Sequence, residues 1–284
     1  MAKAPPELPY GVRLTLAYEG TDFHGWQTQP GLRTVQSEVE GALRALGVRF
    51  TRLRGCSRTD AGVHAAAQVA AFAVDREIPP HGWRLALNGL LPADVAVSEA
   101  FAVDRRYDPR FDSLWKRYRY VFHVGPGRNP LSRRFAWQLG PRDARPWHMR
   151  SPREALADYL DLEAMREACA RLVGEHDFHA FRAMNDKREQ TVRVMRSVDL
   201  ESDGPDVPGQ LSMVVVGNAF MKQMVRIFAG TLIEVGRQRY TPDTISALLA
   251  PGASRRDAGP TAPPQGLTLE HIELGRGDWQ KGPR

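Results

Sequence analysis

The chain has 284 residues, of which 42% are hydrophobic and 25% charged, enough for one large core or two modest ones. No apolar run is long enough to span a membrane, the opening MAKAPPELPYG has no hydrophobic signal region, and Cys56 and Cys169 are too few and too far apart for a disulfide framework or zinc ribbon, which suits a reducing cytoplasm. The net charge of +6 rests overwhelmingly on arginine, which forks onto phosphate and stacks on bases, so a nucleic-acid partner stands level with a GC-rich genome that encodes arginine for lysine.

In chain order, VRLTLAYEG (12–20) reads as a strand. Thr34 is placed to cap a helix whose Val35, Val39, Ala42, Leu43 and Leu46 recur at helical spacing, with Gly47 closing it. A loop, GCSRTDAGVHA (55–65), precedes the strand QVAAFAV (68–74). A short helix over 83–91 and the strands DVAVSEA (94–100) and YRYVFH (118–123) complete the first round. Asp161 caps a second helix through Leu162, Met165, Cys169, Leu172 and Val173, ended by Gly174. The strands TVRVMRSVDL and LSMVVVGNAF follow, then a long helix from about Met221 to Val235, stopped by Gly236. Thr241-Pro242 starts a short helix with cap and N1 proline in their favoured places, and LTLEHIEL (267–274) is a last strand. This order predicts an α+β fold with a mostly antiparallel sheet. The expected divisions are a tail over 1–11, a first half over 12–139, a Pro/Arg-rich linker or insertion over 140–160, a second half over 161–274 and a tail over 275–284.

The 55–65 loop sets one carboxylate, Asp60, among small, polar and turn-forming residues. Gly62 permits a positive-φ turn just after the acid, and Thr59 can bond the turn locally. Arg58, if the backbone is locally extended, shares a side with Asp60, and a guanidinium there favours the ionised form that a nucleophile needs. An ionised carboxylate attacking sugar carbon is familiar from retaining glycosidases, which also need an acid for their alkoxide leaving group. A nucleobase leaves as a delocalised anion, so one aspartate suffices for a base–sugar bond. Taken alone, an Asp-Ala-Gly is more often a turn cap.

The loop SRTDAGVHA resembles the signature of the tRNA pseudouridine synthase A family. YEGTDFHGWQ, TVQSEVEGAL, ALNGLLPADVAV, RYRYVF, GEHDFHAF, FMKQMVRIFAGTLIEVG and TAPPQGLTL follow in that family's order, from about residue 12 to residue 274. Departures are Glu19 for an aspartate, YDPRF for FHARF, Thr268 for a tyrosine, and a longer 140–153 stretch. The resemblance implies two related halves, each like an RNA-recognition (ferredoxin-like) domain, joined in a central, mostly antiparallel sheet with a cleft along it. It implies isomerisation of uridine to pseudouridine at positions 38, 39 and 40 of the tRNA anticodon stem-loop, in a homodimer, with base flipping and no cofactor.

By the same resemblance Asp60 matches the catalytic nucleophile, Tyr118 the active-site tyrosine and Arg226 the basic residue that pairs with the aspartate. Arg58 matches the arginine that holds the flipped nucleotide. Arg110, Lys116, Arg117, Arg119 and Lys222 are candidate RNA contacts. From the residues alone, Tyr118 reads first as a core-filling strand aromatic, and it shares a face with Tyr120. Arg226 falls opposite an apolar arc of Phe220, Met221, Met224, Phe228, Leu232 and Val235, on the expected wet face beside Lys222 and Gly230. His176 and His179 have no evident third metal ligand, and His64 reads as a loop-ordering residue. Two other classes compete: an RNA chaperone with an inert acid loop, and an aspartic hydrolase, which would need a second such loop.

Overall fold

The computed structural model describes residues 8–125, 128–140, 159–202 and 209–275. Residues 141–158 of the linker read over 140–160, and most of both tails, lie outside these. The fold is α+β, as the element order predicts, with strand pairing that is mixed overall. The chain forms two compact units: the stretch up to Leu114 together with the return from Leu269, and Trp115–Thr268.

In the first unit, β1 (Tyr10–Tyr18) pairs antiparallel with β3 (His64–Val74) and β4 (Val95–Val103), and the order across these strands is β4-β1-β3-β10, with β10 spanning Leu267–Leu274. β2 (Arg54–Gly55) pairs with β3 at Ala71 and Ala70. β1 alternates between buried and half-buried residues, whereas β3 is buried continuously from Gln68 to Val74. Its alanines let neighbours approach from both faces, which explains why QVAAFAV lacks a polar side. Helix α1 (Val35–Ala45) begins where expected: the Thr34 hydroxyl accepts from the Ser37 amide, and Ser37 Oγ accepts from the Thr34 amide. Such a capping box stabilises a helix by about 1 kcal/mol. Helix α2 (Pro80–Asn88) buries Trp83 and Leu87, and the Trp83 ring meets Phe72 edge to face at 5.5 Å. A short helix, α3 (Pro109–Asp112), closes the unit.

In the second unit the strand order is β5-β9-β8-β7: β5 (Ser113–Val124), β9 (Gln210–Gly217), β8 (Val192–Ser202) and β7 (Gly174–Asp177), each pair antiparallel. β6 (Trp137–Leu139) joins β5 in parallel. Helix α4 (Leu162–Arg171) starts at Asp161, whose carboxylate accepts from the Ala164 amide. Helix α6 (Pro242–Leu249) starts at Thr241, as the cap and proline predict.

Helix α5 (Met224–Gly236) departs from expectation in two ways. It begins three residues later than the apolar spacing suggests, because Gln223 adopts a left-handed φ of 62°. The turn before it is pinned by the Ala183 amide on the Lys222 carbonyl and by the Lys222 amide on Asp186 Oδ2. Second, it has no wet face. Ile227, Ala229, Gly230, Thr231 and Ile233 are buried along with Met224, Phe228, Leu232 and Val235. The segment 258–263 covers the side expected to meet solvent. At Gly230 that segment comes so near that a Cβ would stand 1.7 Å from the Pro260 carbonyl oxygen.

Candidate active site

The acid loop, residues 56–63, is the tip of the β2–β3 hairpin, so Asp60 lies mid-loop and not at a strand end. The loop is pinned from both sides. From β3, the buried Gln68 amide donates to the Ser57 carbonyl at 2.6 Å and accepts from the Ser57 amide at 3.2 Å. From the segment after β1, the Trp26 amide donates to the Thr59 carbonyl at 3.1 Å, and the Gly62 amide donates to the Phe23 carbonyl at 3.1 Å. The Gly20 amide donates to His64 Nδ1 at 3.0 Å, so His64 orders the loop as read from sequence. The Thr59 hydroxyl bonds the Tyr18 hydroxyl at 2.8 Å, a tertiary partner in place of the local turn bond expected. Burial pushes the Tyr18 hydroxyl up to about 12, so it stays protonated at neutral pH.

Three glycines allow this closeness. A Cβ on Gly20 would stand 2.0 Å from the Val63 carbonyl oxygen, one on Gly25 2.7 Å from that of Thr59, and one on Gly55 2.4 Å from the Trp26 ring. The stretch YEGTDFHGW is thus the brace of the acid loop, which gives a physical reason for both motifs to occur together. Within the loop, Val63 donates back to the Asp60 carbonyl, and Gly62 takes the expected positive φ of 79°. The Asp60 side chain is half-buried on this fixed backbone. Arg58 is exposed and forms no hydrogen bond or ion pair among the described residues, so the guanidinium expected against the carboxylate is not paired with it. Cys56 is buried and donates its thiol hydrogen to the Pro109 carbonyl at 3.3 Å. In YDPRF, Arg110 forks onto Asp108 at 2.6 and 3.0 Å. Burial pushes the Asp108 carboxyl up, but the Arg110 hydrogen bonds outweigh it and hold the group below the usual carboxylate range.

In the second unit, β5 turns Tyr118 and Tyr120 to the same side, and their environments separate them where spacing could not. Tyr120 is wholly buried, and its hydroxyl donates to the Pro263 carbonyl at 2.7 Å. Burial pushes that hydroxyl well above its ordinary range. Tyr118 is 5% exposed and meets Phe220 edge to face at 5.0 Å. Arg226, half-buried on the first turn of α5, donates Nε to the Ala262 carbonyl at 2.7 Å, and its own carbonyl accepts from the Ala262 amide at 3.1 Å.

Arg119 pairs with Glu201 at 2.8 Å and Arg117 with the same carboxylate at 3.9 Å. Lys116 is largely buried, with Nζ 3.5 Å from the Asn218 carbonyl. Lys222 is exposed in a cleft of about 590 Å³ whose lining includes Gln223, Arg255, Arg256 and Thr261. His176 and His179 lie on β7 and a following 3-10 turn, not on a helix, and their Nε2 atoms meet the carbonyls of Val173 and Ala253. Among the described residues no group of three or more His, Cys, Asp and Glu stands where it could hold a metal. None of the described helices is long and apolar enough to cross a membrane.

Sequence reasoning missed Gln68, Tyr18 and Trp26. A glutamine opening an otherwise apolar strand was the available signal, since a buried amide needs partners.

A brace of this kind around one aspartate, in an α+β chain rich in arginine, coincides with a family match: the model of tRNA pseudouridine synthase covers residues 15–112 and 168–273. The chain therefore belongs to the tRNA pseudouridine synthase family, isomerases that make pseudouridine in tRNA. Among its relatives, the tRNA pseudouridine synthase A of Geobacter sp. (strain M21) is 44% identical over 261 residues, covering 92% of this chain and 97% of that protein. Those of Myxococcus xanthus and Geobacter sulfurreducens are 45% and 42% identical, covering 92% and 93% of this chain and 91% and 99% of their own lengths.

Proposed function

We propose that the chain isomerises uridines 38, 39 and 40 of the tRNA anticodon stem-loop, with Asp60 as nucleophile acting on an extruded base. The observation that carries this is the Asp60 carboxylate on a backbone fixed at Ser57, Thr59, Gly62 and His64. A loop that merely turned the chain would not need hydrogen bonds from two separate segments. Fixing the attacking atom before substrate arrives removes an ordering cost from the reaction step.

The bond changes balance without a redox partner. The glycosidic C1′–N1 bond breaks as the carboxylate engages the nucleotide, the freed uracil turns, C1′ bonds to C5 as the carboxylate is released, the C5 proton leaves to solvent or a base, and N1 takes up a proton. Extruding the nucleotide costs a few kcal/mol. Tyr118 is assigned to stack on the displaced base, an interaction typically worth about 1–3 kcal/mol, and its hydroxyl to assist loss of the C5 proton. Arg226 is assigned the cationic role for the carboxylate, and the exposed Arg58 the vacated space and adjoining phosphate. Arg110, Lys116, Arg117, Arg119 and Lys222 are assigned to the RNA backbone. The pairs of Arg117 and Arg119 with the exposed Glu201 do not oppose this, because exposed ion pairs contribute only about 0–1 kcal/mol and exchange readily for phosphate. A cytoplasmic homodimer is the expected working form.

The test is release of tritium from tRNAs that each carry the C5 label at a single uridine, at 38, 39 or 40 or at a control position outside the anticodon stem-loop. Release from all three is expected. Release confined to uridines outside the anticodon stem would overturn the assignment.

A further inference from the structure

The stretch SRRDAGPTAPPQ carries two adjacent arginines with opposite fates. Arg256 is exposed, whereas Arg255 is half-buried and turned onto its own chain. Its Nη1 donates to the Gly259 carbonyl at 2.9 Å and lies 3.4 Å from that of Ala258, and its Nη2 donates to Thr261 Oγ1 at 3.0 Å. One planar guanidinium thus ties three positions of a turn that would otherwise depend on glycine and proline geometry.

That turn rests on α5 with no side chain between. Gly259 lies so close that its Cβ would stand 2.6 Å from the Thr231 Cα, and its amide donates to Thr231 Oγ1 at 3.0 Å. Three residues on, Ala262 grips Arg226 through both backbone groups. The bond to Nε fixes the plane of the Arg226 guanidinium, and so the direction in which its two terminal nitrogens can fork onto an anion.

We infer that Arg255 is a positioning residue: it holds the 258–262 segment in the shape that lets the Ala262 carbonyl aim Arg226. This rests on the catalytic role proposed above for Arg226. Arg255 is held to act through Arg226 and to make no contact with tRNA.

The test is single-turnover tritium release at saturating tRNA, with tRNA affinity measured across salt concentration. Arg255→Ala and Arg255→Lys are expected to slow the step by about 10- to 100-fold, the usual effect of misplacing a reacting group by about 1 Å. Affinity and its salt slope are expected to stay unchanged. Added guanidinium ion is expected to restore part of the rate in Arg255→Ala. Combining Arg255→Ala with Arg226→Ala is expected to cost nothing beyond Arg226→Ala alone, as groups acting as a unit are non-additive. Should Arg255→Ala fail to fold, Thr261→Val removes one leg of the clasp and is read in the same way.

Undiminished rates in folded Arg255 variants, or additive losses in the double variant, would overturn the inference. So would weakened binding with a salt slope reduced by about one phosphate, which would make Arg255 an RNA contact. Full rate in Arg226→Ala would overturn the role of Arg226 itself, whatever the Arg255 variants do.

Discussion

Replacing Gly25 with alanine attacks the brace and leaves the acid untouched. Gly25 has φ +85°, and an added Cβ would stand 2.7 Å from the Thr59 carbonyl oxygen and 3.1 Å from the Asp60 carbonyl carbon. Ordinary contact begins near 3.4 Å, so relief needs about 0.7 Å of backbone movement. Neither wall is a flexible side-chain end. The Thr59 carbonyl is held by Trp26, and the Gly25 carbonyl accepts from the Val35 amide at the start of α1. Gly31 is the matched control: φ is +71°, and nothing lies within 4 Å of its Cβ. Both substitutions incur the left-handed cost of about 1–2 kcal/mol, and both gain about 0.4–1 kcal/mol by restricting the unfolded chain. Only Gly25→Ala adds overpacking, typically about 1–3 kcal/mol. Denaturant unfolding should therefore separate the two variants by about 1–3 kcal/mol. In tritium release, Gly25→Ala should lose about 10- to 100-fold through displacement of the carboxylate, with Gly31→Ala at the wild-type rate. Equal stabilities and equal rates would refute the view that this contact fixes the acid loop.

Tyr118→Phe should keep tRNA affinity, since the ring remains, and slow tritium release, whereas Tyr118→Leu should lose both; equal rates for Phe and wild type would remove the hydroxyl from the reaction. Hydrogen bonds from Arg33 hold the Asp94 carboxyl below the usual carboxylate range. A depressed folded value stabilises the protein above the unfolded value of about 4 and loses that contribution as pH falls through the folded value. The gap in melting temperature between wild type and Arg33→Met should thus be constant from pH 7 to about pH 5 and shrink below about pH 4; a gap independent of pH would contradict this. Burial pushes the Cys169 thiol up to about 12, and Cys56 is buried beside Pro109. Neither should react with an aromatic disulfide reagent at pH 8 until the chain unfolds, and rapid native labelling would contradict the burial.

Local chemistry was legible in the sequence. Thr34, Asp161 and Thr241 each begin the helix expected, because capping depends on neighbours within three residues. LTLEHIEL forms the strand over the residues anticipated. Arrangements made by distant segments were not legible. The apolar spacing of Phe220 and Met221 continued the helical arc, yet a left-handed Gln223 and the bonds to residues 183 and 186 end it there. Periodicity placed Arg226 and Gly230 on a wet face because the covering segment lies some thirty residues further along the chain. Gly230, placed on that face by spacing, is a point of backbone contact. At the acid loop, Asp60 and Gly62 stood out by composition, whereas Tyr18 and Gln68 resembled ordinary strand residues and gained their role only through pairing across β1 and β3.

On the function proposed above, the Asp60 carboxylate performs the isomerisation. Asp60→Asn preserves size and the backbone bonds of the loop but removes the charged nucleophile, so single-turnover release of tritium from C5-labelled tRNA should fall to background while tRNA binding is largely kept. Wild-type release from that variant would contradict the account.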